Sequence, residues 1–166
     1  VWDYVELNPF TSVGWPNMQK WVLMSIEHCS QVSRKTVTIT PSSATELKYP
    51  DNFFDAVITD PPYYDSVPYS YLSDFFYVWL KRAISHLYPE LFATPLTPKG
   101  EEIVTYSNNG GYDSGKIFFE EMISKAFVEI NRFLKPEGIA CIVFAHKSTE
   151  AWETIINALN NAGLYL

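Results

Sequence analysis

The stretch DAVITDPPYYDS, Asp55 to Ser66, decides how the rest of the chain is read. A short extended-favouring run, Asp55-Ala56-Val57-Ile58-Thr59, follows a turn signal at Pro50-Asp51-Asn52 and runs straight into two prolines. Each proline fixes its own φ, removes an amide donor and pushes the residue before it to extended geometry, so the strand must end at Thr59. Turn chemistry alone explains such a stiff exit. A carboxylate before the pair and an aromatic ring after it also fit a binding edge, because open α/β sheets bind ligands outside the carboxyl ends of their strands.

On either side the apolar spacing alternates between strand and helix periods. Met18, Trp21, Val22, Ile26 and Cys29 fall at helical spacing behind Pro16, and Thr36-Val37-Thr38-Ile39-Thr40 reads as a strand. Leu72, Phe75, Phe76, Trp79, Leu80, Ala83 and Ile84 form an amphipathic stripe that predicts a helix ending before Pro89. Residues 95–115, rich in Pro, Gly and Asn, read as a mobile loop. A second strong helix carries Phe119, Met122, Ile123, Ala126, Phe127, Ile130, Phe133 and Leu134 on one face and stops at Pro136 and Gly138. Ile139 to Ala145 then predicts a strand buried on both faces. Ser148 is placed to cap the last helix, with Trp152, Ile155, Ile156 and Leu159 facing inward and Gly163 as its stop. Strands alternating with helices imply parallel pairing in a doubly wound α/β sheet. Residues 1–35 are then a leading segment and helix, and residues 36–166 the αβ part, with Asp60 and His146 at strand ends.

Composition narrows the function classes. The 166 residues, 47% of them hydrophobic, suit a single domain, and the net charge of -7 would repel a phosphate backbone over most of the surface. Cys29 and Cys141 sit in apolar patterns and read as buried free thiols, without a disulfide or metal framework. No apolar run reaches the roughly 18 residues of a membrane span, which fits a cytoplasmic protein. The chain opens on Val1-Trp2-Asp3 and closes on an apolar Leu164-Tyr165-Leu166, and is therefore expected to be a fragment of something longer.

Asp60-Pro61-Pro62-Tyr63 resembles the signature of the amino-methyltransferases, which move a methyl group from S-adenosylmethionine to an exocyclic base nitrogen. Tyr49-Pro50-Asp51-Asn52-Phe53-Phe54-Asp55 looks like the usual approach to that site, and Leu134-Lys135-Pro136-Glu137-Gly138 like the usual lead into the next strand. Taken with the segments Leu72 to Leu80 and Phe144 to Thr149, the chain most resembles a family of large prokaryotic adenine-specific DNA methylases. The resemblance implies a Rossmann-like sheet of which this chain covers the second half. It also implies a target amine gripped by the Asp60 carboxylate and the Pro61 carbonyl, with Pro62 stiffening the edge and Tyr63 stacking on a flipped adenine. Tyr64, His146 and Lys147 become candidate contacts to DNA. Ser43, Ala44 and Asp60 become candidate contacts to S-adenosylmethionine, since Pro41 to Leu47 resembles a cofactor-lining segment in which Ser43 replaces an aspartate. RNA adenine-N6 or guanine-N2 methylation, or a binding or scaffolding module of the same fold without catalysis, are the alternatives.

Two features pull elsewhere. The glycine-rich turn that cradles such a cofactor is absent, so the first strand and its loop are expected to lie outside this sequence. Gly110-Gly111-Tyr112-Asp113-Ser114-Gly115-Lys116-Ile117 comes one residue short of a phosphate-binding loop, with Ile117 where a metal-binding hydroxyl belongs, and reads as a flexible loop instead. Trp2 to Phe10 reads as a strand with a turn at Asn8-Pro9.

Overall fold

A computed structural model of the chain describes residues 14–32, 35–65, 67–105 and 112–166, with side chains from 114 onward in the last stretch. The expected Asn8-Pro9 turn and the Gly110-Gly111 pair lie outside these residues. The described residues are mixed α/β, in the order α1 (Trp15–Ser30), β1 (Phe54–Thr59), α2 (Tyr69–Ile84), α3 (Tyr112–Phe133), β2 (Leu134–Ile142) and α4 (Thr149–Asn161), with a one-turn 3-10 helix at Pro89–Phe92. They fall into two compact units, Val1–Pro41 and Ser42–Leu166. No helix among them is long and apolar enough to cross a membrane.

In the first unit α1 forms where the spacing predicts it, with Pro16 in its first turn, where the amide it lacks would have had no partner. None of its residues is buried. The strand expected at residues 36–40 does not form: Val37 and Ile39 are 72% and 90% exposed in irregular backbone. β-branched residues fit a pleated, half-buried surface, and without a ladder partner their preference has nothing to act on.

The second unit is built on two parallel strands joined by a crossover that contains α2 and α3. The register pairs Ala56 with Ile139 and Thr59 with Ile142, while Phe54 pairs with Leu134, so the four residues Lys135 to Gly138 bulge out between the rungs. α3 runs straight into β2, and two of its last carbonyls are satisfied by the chain entering β1: Asn52 N–H donates to Arg132 O at 3.0 Å and Phe53 N–H to Phe133 O at 2.8 Å. Asn52 makes that entry in the left-handed region at φ 54°, which Asn tolerates better than most residues.

Phe119, Ile123, Phe127, Ile130 and Phe133 of α3 meet Ala151, Ile155, Ala158 and Leu159 of α4 in one core, against which Val57, Ala140, Ile142 and Phe144 pack from the sheet. Ser148 caps α4 as expected, its Oγ accepting from Ala151 N–H. Gly163 ends it at φ +81°, with Gly163 N–H bonded to Asn160 O and Leu164 N–H to Leu159 O, the paired bonds of a Schellman motif. Trp152 and Ile156, expected inward, are 41% and 37% exposed; the small Ala158 and Ala162 take the buried positions.

Three further expectations are corrected. β2 is not covered on both faces: Ile58, Ile139 and Val143 are 80%, 71% and 46% exposed on the side away from α3 and α4. Cys141 is exposed with them and Cys29 is exposed on α1, so the thiols are free but not buried. The α2 stripe is bare as well, with Phe75, Phe76 and Trp79 each more than 60% exposed. An apolar stripe reports that a face wants burial, and no described element covers these.

An ion-pair cluster fixes the approach to β1. Arg132 donates to Glu129, Asp51, Tyr49 O and Leu47 O, while Glu129 also accepts from Leu47 N–H at 3.0 Å. The Arg132 hydrogen bond, then the Leu47 amide, lower the Glu129 carboxyl from an ordinary 4.5 to about 2. A depressed folded-state pKa stabilises above the unfolded value and loses that effect as pH falls from 4.5 toward 2. Glu129→Gln is therefore expected to melt roughly 2–4 °C below the parent at pH 7, with the gap closing near pH 2 to 3, as thermal melts across pH would record.

Candidate active site

The carboxyl ends of the two strands place the predicted motif. Val143 N–H donates to Thr59 O at 2.9 Å, after which the prolines offer no amide and the ladder stops. Asp60 is exposed at that edge, Pro61 is buried and Tyr63 is half-buried. No hydrogen bond to the Pro61 carbonyl occurs among the described residues. The neighbouring Asp60 carboxylate, with partial desolvation, raises the Tyr63 phenol above its ordinary pKa of 10. Its ring stands edge-on to Phe144 at 5.6 Å, and Phe144 is in turn edge-on to Trp152 at 5.2 Å. Tyr63, Phe144 and Trp152 thus make an aromatic wall beside one carboxylate.

Tyr64 takes a different part from its neighbour. It is 1% exposed, its ring packs against Phe119 at 5.1 Å and His146 at 5.7 Å, and its backbone is left-handed at φ 47°. In that position the ring packs the core and not the edge. The strained backbone is held from several sides: Tyr64 N–H donates to Pro62 O at 3.2 Å, and Thr105 N–H donates to Tyr64 O at 3.2 Å.

β2 ends at Ile142, short of the expected Ala145, so His146 lies four residues beyond it, inside a network. Its Nδ1 accepts from Ser148 N–H at 3.1 Å and lies 2.9 Å from Ser148 Oγ. A nitrogen that accepts from an amide carries no proton, so the ring proton sits on Nε2, which faces Asp65 Oδ1 at 2.8 Å. Trp152 Nε1 donates to His146 O at 3.0 Å. Lys147 is exposed and forms no ion pair among the described residues.

The loop after α2 is tied back to the helix that follows the motif. α2 begins at Pro68, which has no side chain to cap it, and Glu102 from the loop takes that place, accepting from Ser70 N–H at 3.0 Å and from Ser70 Oγ. Thr97 Oγ1 lies 2.7 Å from Ser70 O and 2.6 Å from Asp74 Oδ1, with its one proton shared between these two acceptors, and Lys99 pairs with Asp74 at 2.8 Å. Sequence inspection missed Asp65, Phe144, Trp152 and Glu102. The one available signal was an uncapped helix start at Pro68 with a lone acid pair, Glu101-Glu102, in the following loop.

The cofactor candidates are not gathered here. Ser43 and Ala44 are exposed in a turn closed on itself, with Ser43 Oγ 2.8 Å from Thr45 Oγ1 and Glu46 N–H bonded to Ser43 O. No hydrogen bond or ring contact joins them to Asp60 or Tyr63 among the described residues. A cavity of about 880 Å³ follows β2 and α4 and is lined by Ile142, Phe144, Trp152 and Leu164 but by neither Asp60 nor Tyr63. No group of three His, Cys, Asp or Glu side chains poised for a metal ion occurs among the described residues. Comparison with family models, with curated proteins and with solved structures returns no match, so the reading rests on the geometry of the Asp60 to Tyr63 edge itself.

Proposed function

We propose that the chain supplies the target-amine half of an S-adenosylmethionine-dependent adenine-N6 DNA methyltransferase, within a Rossmann-like doubly wound sheet. The observation that carries this reading is a carboxylate and an unbonded proline carbonyl, Asp60 and Pro61, side by side at the carboxyl end of a parallel strand, with an aromatic ring next to them. An exocyclic amine is a poor nucleophile because its lone pair is delocalised into the ring. Two acceptors fixed at one edge favour the pyramidal nitrogen that reacts, which is positioning together with electrostatic stabilisation. Tyr63 offers a face for the extruded base, offsetting part of the cost of unstacking it. The methyl donor in this reading is S-adenosylmethionine.

The test is methyl transfer from labelled S-adenosylmethionine by the whole protein, with adenine-containing duplex DNA and RNA as competing substrates. Label on the adenine N6 of DNA is expected. Label on RNA instead would move the reading to the RNA enzymes, and no transfer to either would overturn it. A module of this fold without catalysis is favoured by one observation, the cavity along β2 and α4 whose lining includes neither Asp60 nor Tyr63. Binding of DNA without methyl transfer would decide for it.

In this reading the Tyr63 hydroxyl competes for the Asp60 carboxylate that the amine would need. Tyr63→Phe removes the competitor and keeps the ring, and is expected to lower KM for DNA about two- to fivefold with kcat held. Tyr63→Ala removes the stacking face and is expected to raise KM by roughly tenfold or more. Steady-state kinetics of the two variants would separate hydroxyl from ring.

A further inference from the structure

We propose that His146 is a positioning residue, which holds the Asp60 to Tyr63 edge in place by tying Asp65 to the amino terminus of α4; the proposal rests on the reading that this edge grips the amine. A surface ring at a strand end invites the role of a substrate contact. Here both ring nitrogens are spent inside the protein, Nε2 on Asp65 at 2.8 Å and Nδ1 on Ser148 at 2.9 and 3.1 Å, and the side chain is only 12% exposed.

The turn needs such a tie. Pro61 and Pro62 make the edge stiff, but stiffness fixes shape and not location. The chain leaves the edge through Tyr64 in the left-handed region, a conformation that persists in a non-glycine residue only when its surroundings over-determine it. Among the contacts that hold this exit, His146 supplies the ring set edge-on to Tyr64 and the partner of Asp65, while Phe119 and Thr105 supply two more. On its other side the ring is clamped by Ser148, whose Oγ also caps α4, so the exit of one strand is registered against the start of the helix that follows the other. A shift of the Asp60 carboxylate by about 1 Å is enough to cost two orders of magnitude in rate.

Two near-isosteres split the tie into its halves. In His146→Gln the terminal amide nitrogen takes the place of Nε2 and still donates to Asp65. In His146→Asn the amide oxygen takes the place of Nδ1 and still accepts from Ser148 N–H, but the side chain cannot reach Asp65. For the whole protein, kcat is expected within about threefold of the parent for the Gln variant and roughly thirtyfold lower for the Asn variant, with KM for DNA nearly unchanged in both. Independently of activity, amide exchange at Tyr64 and Asp65 is expected to quicken at least about tenfold in the Asn variant and little in the Gln variant. Equal kcat and equal exchange in the two variants would overturn the proposal, as would a thirtyfold rise in KM at constant kcat, the mark of a substrate contact. A parent that transfers no methyl group would sink the functional reading alone, since the exchange comparison still decides whether His146 holds the turn.

Discussion

Asp60→Ala is expected to lower kcat for methyl transfer by roughly 10²–10³-fold, the usual cost of removing one preorganised polar partner from a reacting group. Its melting temperature should match that of the parent, because Asp60 is exposed and lies beyond the last ladder bond, Val143 N–H to Thr59 O. Asp60→Asn sharpens the test. The amide keeps one acceptor oxygen but lacks the charge that strengthens a hydrogen bond to an amine becoming positive, so an intermediate loss is expected. The Tyr63 phenol offers a control within the same variants. Its pKa is raised chiefly by the neighbouring Asp60 carboxylate, so spectrophotometric titration should show it fall back toward 10 in Asp60→Ala. A phenol that titrates as before, or an Asp60→Ala protein that methylates at the parent's rate, would remove Asp60 from the role.

How far the sequence could be read depended on whether the partner of each segment was itself legible. α3 was found with its buried face because α4 covers it, so apolar period and burial coincide at Phe119, Ile123 and Phe127, while on α4 they coincide at Ile155 and Leu159 but not at Trp152 and Ile156. The α2 stripe was read with equal ease, yet Phe75, Phe76 and Trp79 are exposed, since periodicity measures a preference and not its satisfaction. The same gap explains the strand expected at residues 36–40 and the second covered face expected for β2. At the candidate site, Asp60 to Tyr63 could be located because two prolines must end a ladder. The Asp65–His146 bond could not, because 81 residues separate its partners and only the parallel register of β1 and β2 brings them to one edge. Tyr64 and Tyr63 are alike in sequence and opposite in use, and what separates them is a backbone angle that no side-chain pattern encodes.

Gly115 carries the second large effect, and its sign is the reverse of what helix propensity dictates. It lies buried in the first turns of α3, where replacing glycine with alanine ordinarily stabilises a helix by about 1 kcal/mol. Here an alanine Cβ would stand 1.6 Å from the Thr105 carbonyl oxygen, a backbone atom that no rotamer change can withdraw. Either the start of α3 or residues 103–105 must move, and the second choice strains the Thr105 N–H bond to Tyr64 O that helps hold the turn after the prolines. Gly115→Ala is therefore expected to cost about 3 kcal/mol, at the upper end of overpacking penalties, and to lower the urea midpoint by roughly 1 to 2 M. The glycine that completes the near-match to a phosphate loop thus has a packing reason, and the adjacent Lys116 is paired with Glu150 of α4. The outcome also bears on the site, since a Gly115→Ala protein that stays folded at low temperature should show faster amide exchange at Tyr64 than the parent. Unchanged or raised stability in that variant would mean that α3 and the 103–105 segment do not approach as closely as the carbonyl contact requires.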